Sequence, residues 1–75
     1  MEEKGRIKKI DRQMVIKGHT IASLAKATGL STLTVREVLY CERFPSAKTS
    51  QLMADAIGMN VEEFRATLYD AQKSA

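Results

Sequence analysis

Three glycines and one proline cut this chain into pieces too short for anything but brief helices. Gly18, Gly29 and Gly58 each close a stretch in which apolar residues recur at helical spacing, and Phe44-Pro45 interrupts a fourth. The first stretch carries Ile7, Ile10 and Met14; the second carries Leu24, Ala25 and Thr28; the third carries Val35, Val38 and Leu39. Leu52, Met53, Ala56 and Ile57 mark the fourth, and Val61, Phe64 and Leu68 the fifth. Spacings of three and four residues put each set on one helix face. A glycine can take the left-handed conformation that stops a helix, and proline disfavours a helical residue before it. Capping residues stand where new helices should start: Thr20, Ser31, Ser46 and Asn60. Asn60 and Glu63 have the spacing of a capping box, and Met59 and Phe64 that of a hydrophobic staple. No window alternates with period two. The expected fold is all-α, a compact bundle of five helices at about 6–17, 21–28, 32–40, 47–57 and 61–70.

Composition narrows the class. With 75 residues, 44% hydrophobic and 28% charged, the chain reads as one globular domain without repeats or linkers. A chain of this length buries only ~60% of its unfolded surface, so association with a second copy or a partner is a natural source of stability. There is no apolar run of the ~18 residues a spanning helix needs, and no apolar stretch follows Met1-Glu2-Glu3-Lys4. A lone cysteine, Cys41, makes no internal disulfide, and with one histidine, His19, it is too little for a structural zinc site. The expected compartment is the reducing cytoplasm, with no membrane association, cofactor, metal or small-molecule ligand.

Charge is unevenly placed. Between Lys4 and Lys48 ten bases (Lys4, Arg6, Lys8, Lys9, Arg12, Lys17, Lys26, Arg36, Arg43, Lys48) stand against three acids, which leaves +7. From Thr49 onward two bases face four acids, and with Glu2 and Glu3 the total falls to +3. A basic front is what a polyanion-binding face requires, although a mixed solvated surface produces the same count.

The segment from Thr20 to Leu39, TIASLAKATGLSTLTVREVL, is the most informative. Counted from Ile21, a small residue (Ala25) falls at position five, glycine (Gly29) at nine, and valines (Val35, Val38) at fifteen and eighteen. In a helix-turn-helix the fifth position lies where two helices cross closely. The ninth needs a positive φ, and the last two anchor the second helix. That second helix then stands clear of the domain, able to enter a major groove.

On these residues the chain resembles the lambda-repressor-like superfamily, in particular Cro and phage-repressor helix-turn-helix domains, from about Ile7 to Leu68. The resemblance also takes in the Phe44-Pro45-Ser46 loop and the closing LMADAIGMNVEEF. The motif is similar, too, to the lactose-repressor-type headpiece, T-I-x-x-L-A-x-x-x-G-V-S-x-x-T-V-x-x-V-L. There it opens the protein, whereas about nineteen residues precede it here, which favours the compact five-helix type. Two positions depart from the pattern: Ile21 replaces a glutamine that often reaches a phosphate, and Leu39-Tyr40-Cys41 replaces the frequent Glu-x-Gly.

The resemblance implies a regulator that binds double-stranded DNA sequence-specifically, as a homodimer on a two-fold operator, acting as a repressor and not an enzyme. The expected DNA-facing residues are Thr20, Lys26, Ser31, Thr32, Leu33, Thr34, Arg36, Glu37, Tyr40, Arg43 and Lys48. Leu33 suits a thymine methyl and Arg36 a bidentate contact to guanine. Glu37 either accepts from a cytosine amino group or holds Arg36 through solvent, the reading preferred. Thr20, Ser31, Lys26, Arg43 and Lys48 suit phosphates. Lys4, Arg6, Lys8 and Lys9 form either a backbone-tracking arm or a frayed basic end. Met59, Phe64, Leu68 and Tyr69 are the expected dimer contact. Two rival roles stand beside it: an antitoxin that keeps the fold and grips a toxin with its acidic half, and a helical protein-interaction module without DNA binding that uses Leu33 and Tyr40.

Overall fold

The computed structural model describes residues 7–74, so Lys4, Arg6 and the expected helix start at residue 6 lie outside the described residues. Five helices follow one another, α1 Lys8–Ile16, α2 Ile21–Thr28, α3 Thr32–Leu39, α4 Ala47–Ile57 and α5 Val61–Ser74, and the described residues form no strand. The all-α five-helix architecture is as the punctuation indicates. Helix α5 runs past residue 70 because Asp70-Ala71-Gln72-Lys73 contains no helix breaker, and Ala71 packs on the core.

The first four helices stop in the same way. After α1, α2 and α4 a glycine takes a positive φ, and the residue after it donates its amide back to a carbonyl five residues earlier. His19 N–H reaches Met14 O at 2.7 Å, Leu30 N–H reaches Ala25 O at 3.1 Å, and Met59 N–H reaches Ala54 O at 2.8 Å. This is the Schellman closure, which satisfies carbonyls that the helix end leaves unpaired. Helix α3 closes identically without glycine: Glu42 N–H bonds Glu37 O at 2.8 Å and Cys41 takes the left-handed conformation at φ 62°.

Each glycine stop is followed two residues later by a cap, so the turns are as short as helices allow. The reciprocal capping box forms at α2, where Thr20 Oγ1 accepts from Ser23 N–H at 3.2 Å and Ser23 Oγ accepts from Thr20 N–H at 2.8 Å. The box expected at Asn60 is only half made. Asn60 Oδ1 accepts from the amides of Glu62 and Glu63 at 2.8 and 3.4 Å, but the Glu63 carboxylate lies on Lys9 Nζ of α1, 2.6 Å away.

Helix α4 is the hub, in contact with α1, α2 and α5. Its core face is Ser50, Met53, Ala54 and Ile57, while Leu52 and Ala56, expected there, are only half-buried. A helix packed on three sides buries a wider and differently centred face than a single stripe implies. Around it Ile7, Ile10, Met14, Leu24, Ala25, Val35, Val38, Leu39, Met59, Phe64 and Leu68 complete the core. No helix among the described residues is long and apolar enough to cross a membrane.

Candidate nucleic-acid interface

Helices α2 and α3 are joined by Gly29-Leu30-Ser31, and the turn is held from several sides. Gly29 sits at φ +78°, and Thr28, buried at 9% exposure, hydrogen-bonds both arms. Its hydroxyl lies 2.8 Å from Leu24 O and 3.1 Å from Ala25 O, and it accepts from Leu30 N–H at 3.3 Å. Leu30 packs against the core from the turn itself. Ala25 is buried at 4%, as a small residue at a close crossing should be, and α2 packs on α3 and α4.

With Val35, Val38 and Leu39 wholly buried, the opposite side of α3 is left to solvent. Thr32, Leu33 and Arg36 are exposed there, Leu33 at 60% despite its apolar side chain. Ser31 caps the helix, its Oγ accepting from Thr34 N–H at 3.1 Å and lying 2.9 Å from Thr34 Oγ1. Thr34 and Tyr40 are half-buried, so they flank the outer face of α3.

The structure does not pair Glu37 with Arg36. Glu37 Oε1 lies 3.5 Å from Arg43 Nη1, across the bend that follows α3. Adjacent residues on a helix point in different directions, so Glu37 could not turn to Arg36 as readily as to a group beyond the helix end. Arg36 extends instead toward Tyr40, one turn on, its guanidinium carbon 6.0 Å from the ring centroid. No family model, curated protein or solved structure matches this chain.

Beside α3 the chain forms a groove of about 360 Å³ lined by Thr34, Val38, Arg43, Phe44, Pro45, Ser46 and Thr49. One wall is α3; the other is the Phe44-Pro45-Ser46 loop with the first turn of α4. Ser46 Oγ accepts from Thr49 N–H at 3.2 Å, and Lys48 stands exposed beside it. Thr20 and Lys26 are exposed on α2, outside this cluster of contacts. Arg65 was not anticipated near the site. It reaches from α5 into the loop, with Nη1 2.8 Å from Ser50 Oγ and 3.3 Å from Pro45 O, and its guanidinium 4.9 Å from the Phe44 ring centroid. Contacts between residues fifteen and twenty positions apart leave no local pattern to read.

Of the expected dimer residues, Met59, Phe64 and Leu68 are buried within the single chain at 9%, 0% and 2% exposure. Only Tyr69 faces outward, at 59%, with Lys73 Nζ of its own helix 5.6 Å from its ring. Burial pushes the Cys41 thiol above its usual range, which leaves little of the nucleophilic thiolate at neutral pH. The described residues contain no cluster of His, Cys, Asp and Glu able to hold a metal ion.

Proposed function

We propose that this chain is a sequence-specific double-stranded DNA-binding regulator that works as a repressor by occupying an operator. The observation that carries this reading is the α2–α3 unit: a tight left-handed glycine turn leaves α3 anchored by three buried residues, with Leu33 and Arg36 presented outward. An α-helix so exposed fits the major groove, where Arg36 can take guanine O6 and N7 and Leu33 a thymine methyl. Exposed Lys26, Arg43 and Lys48 supply cations for phosphates on either side. At α2 the Thr20 hydroxyl occupies the Ser23 amide and the Thr20 carbonyl the Leu24 amide. The amides of Ile21 and Ala22 are the ones left to meet a phosphate.

The domain measures 29 Å along its longest axis, shorter than the ~34 Å between successive turns of one groove. Reading two half-sites therefore takes two copies, which favours a homodimer on a two-fold operator.

The test is binding to duplex DNA across a salt series, followed by selection of bound sequences from a random duplex pool. Affinity should fall with salt at a log–log slope of roughly −0.9 per phosphate neutralised, and the pool should converge on a two-fold sequence. Affinity that stays flat from low to physiological salt refutes the reading. It would leave the protein-interaction role through Leu33 and Tyr40, to which the structure adds the exposed Val15 and Ile16 on α1, at 68% and 66%.

A further inference from the structure

The residue least explained by its position in the chain is Arg65. It sits on α5, away from α3, in the half of the sequence where acids outnumber bases. Its side chain is half-buried and turned inward, where it makes three contacts with one short stretch: Pro45 O, Ser50 Oγ and the Phe44 ring. A planar guanidinium can donate at its edge and stack on its face at once, which a lysine ammonium cannot do. Ser50 is fully buried, and among the described residues Arg65 provides the side-chain partner of its hydroxyl. The stretch so held contains the cap of α4 and the exposed Lys48, and Arg43, which lines the groove, directly precedes it.

We propose that Arg65 is a positioning residue for the basic wall of the groove. It fixes the Phe44-Pro45-Ser46 loop against α5, so that Arg43 and Lys48 meet the phosphate backbone at a set distance from α3. The inference rests on the DNA-binding reading. It adds a mechanical link to that reading: a contact that moves α5 moves the phosphate-facing loop, because the same side chain joins them. Among the described residues Arg43 has one exposed ion pair, to Glu37 at 3.5 Å, which is too weak to fix the loop unaided. The three contacts of Arg65 are the larger constraint.

The experiment compares wild type, Arg65→Lys and Phe44→Leu for binding to one mixed-sequence duplex over a salt series, with folding checked by circular dichroism. Arg65→Lys keeps the charge and loses the fork. Its salt slope is expected to fall by about one to two units, one for each of Arg43 and Lys48 released from a phosphate. Phe44→Leu removes only the stacking surface and should lose less. The discriminating step repeats Arg65→Lys in an Arg43→Ala/Lys48→Ala background, where it should change the slope no further, because residues acting through one another are not additive. A folded Arg65→Lys protein with the wild-type slope overturns the proposal, and so does an equal loss in both backgrounds. Should Arg65→Lys fail to fold, an unchanged slope in folded Phe44→Leu overturns it instead. A wild-type chain without salt-dependent binding overturns the DNA reading and this inference together, and is recognised from the wild type alone.

Discussion

Under the proposed DNA-binding reading Arg36 and Lys26 play different parts, although both are exposed cations on the α2–α3 unit. Arg36 lies on the outer face of α3 beside Leu33, free of any carboxylate among the described residues, with Tyr40 under its guanidinium. Lys26 belongs to α2 and can offer only a point charge. Arg36→Ala is expected to cost about 1–3 kcal/mol on the selected operator and to relax preference at one base pair, while barely changing non-specific binding. Lys26→Ala should weaken every sequence alike; competition titrations against operator and random duplexes separate the two. A second residue-scale expectation concerns Cys41, a side-chain-bearing residue at φ 62° in the position where the other three helix stops use glycine. The left-handed conformation costs an L-residue roughly 1–2 kcal/mol, and β-branching makes it worse. Cys41→Gly should hold or raise stability, within about 1 kcal/mol of wild type, whereas Cys41→Val should lower it by about 1–2 kcal/mol. Urea unfolding midpoints read both, and a valine variant as stable as wild type would show that the position carries no strain.

At the scale of elements, short helices depend on their ends. A helix of eight residues such as α2 makes few internal hydrogen bonds, so its caps and closure carry a large share of its local stability. Thr20 and Ser23 satisfy each other's amides, and Ser23 Oγ also lies 3.0 Å from His19 Nδ1. Thr20→Ala is expected to destabilise the domain by about 1 kcal/mol and Thr20→Ser to be nearly neutral. Denaturant unfolding measures the loss, and equal effects from both substitutions would assign it to the methyl group and not to the cap. The same reasoning explains why the Asn60 cap survives without its reciprocal half. Glu63 finds Lys9 on a neighbouring helix, an exchange of a local contact for a tertiary one between half-exposed groups that is worth under about 1 kcal/mol.

At the scale of the whole molecule, the proposed two-fold reading needs a surface through which two copies pair. The apolar stripe of α5 is used up inside the domain, which leaves Tyr69 and Ala66 as apolar side chains on its outward surface, among the charged Glu62, Glu63, Asp70 and Lys73. Self-association through α5 is therefore expected to centre on Tyr69, with the identical patch meeting itself about a two-fold axis. Sedimentation at tens of micromolar should show a wild-type dimer and a monomeric Tyr69→Glu variant with unchanged circular dichroism. A wild-type monomer at that concentration, with cooperative half-site binding kept in the variant, would place the contact elsewhere. Val15 and Ile16 on α1 are then the next surface to substitute.

The sequence alone determined the number of helices, the glycine stops and caps between them, and the position of the α2–turn–α3 unit, but not the end of α5, which runs past the expected residue 70 to Ser74. These depend on backbone conformation and capping within a few residues, which Gly18, Gly29, Gly58, Thr20, Ser31 and Ser46 encode locally. It also showed the buried stripe of α3, because a helix that packs on one side buries one periodic set. Only the tertiary structure decided which face α4 buries, since three neighbours compete for it. It sent Glu37 to Arg43, Glu63 to Lys9, and Arg65 to the Phe44–Ser50 stretch. Glu63 and Arg65 meet partners that distant parts of the fold bring to them, and Glu37 meets Arg43 through the bend after α3; sequence spacing records neither the distance nor the bend.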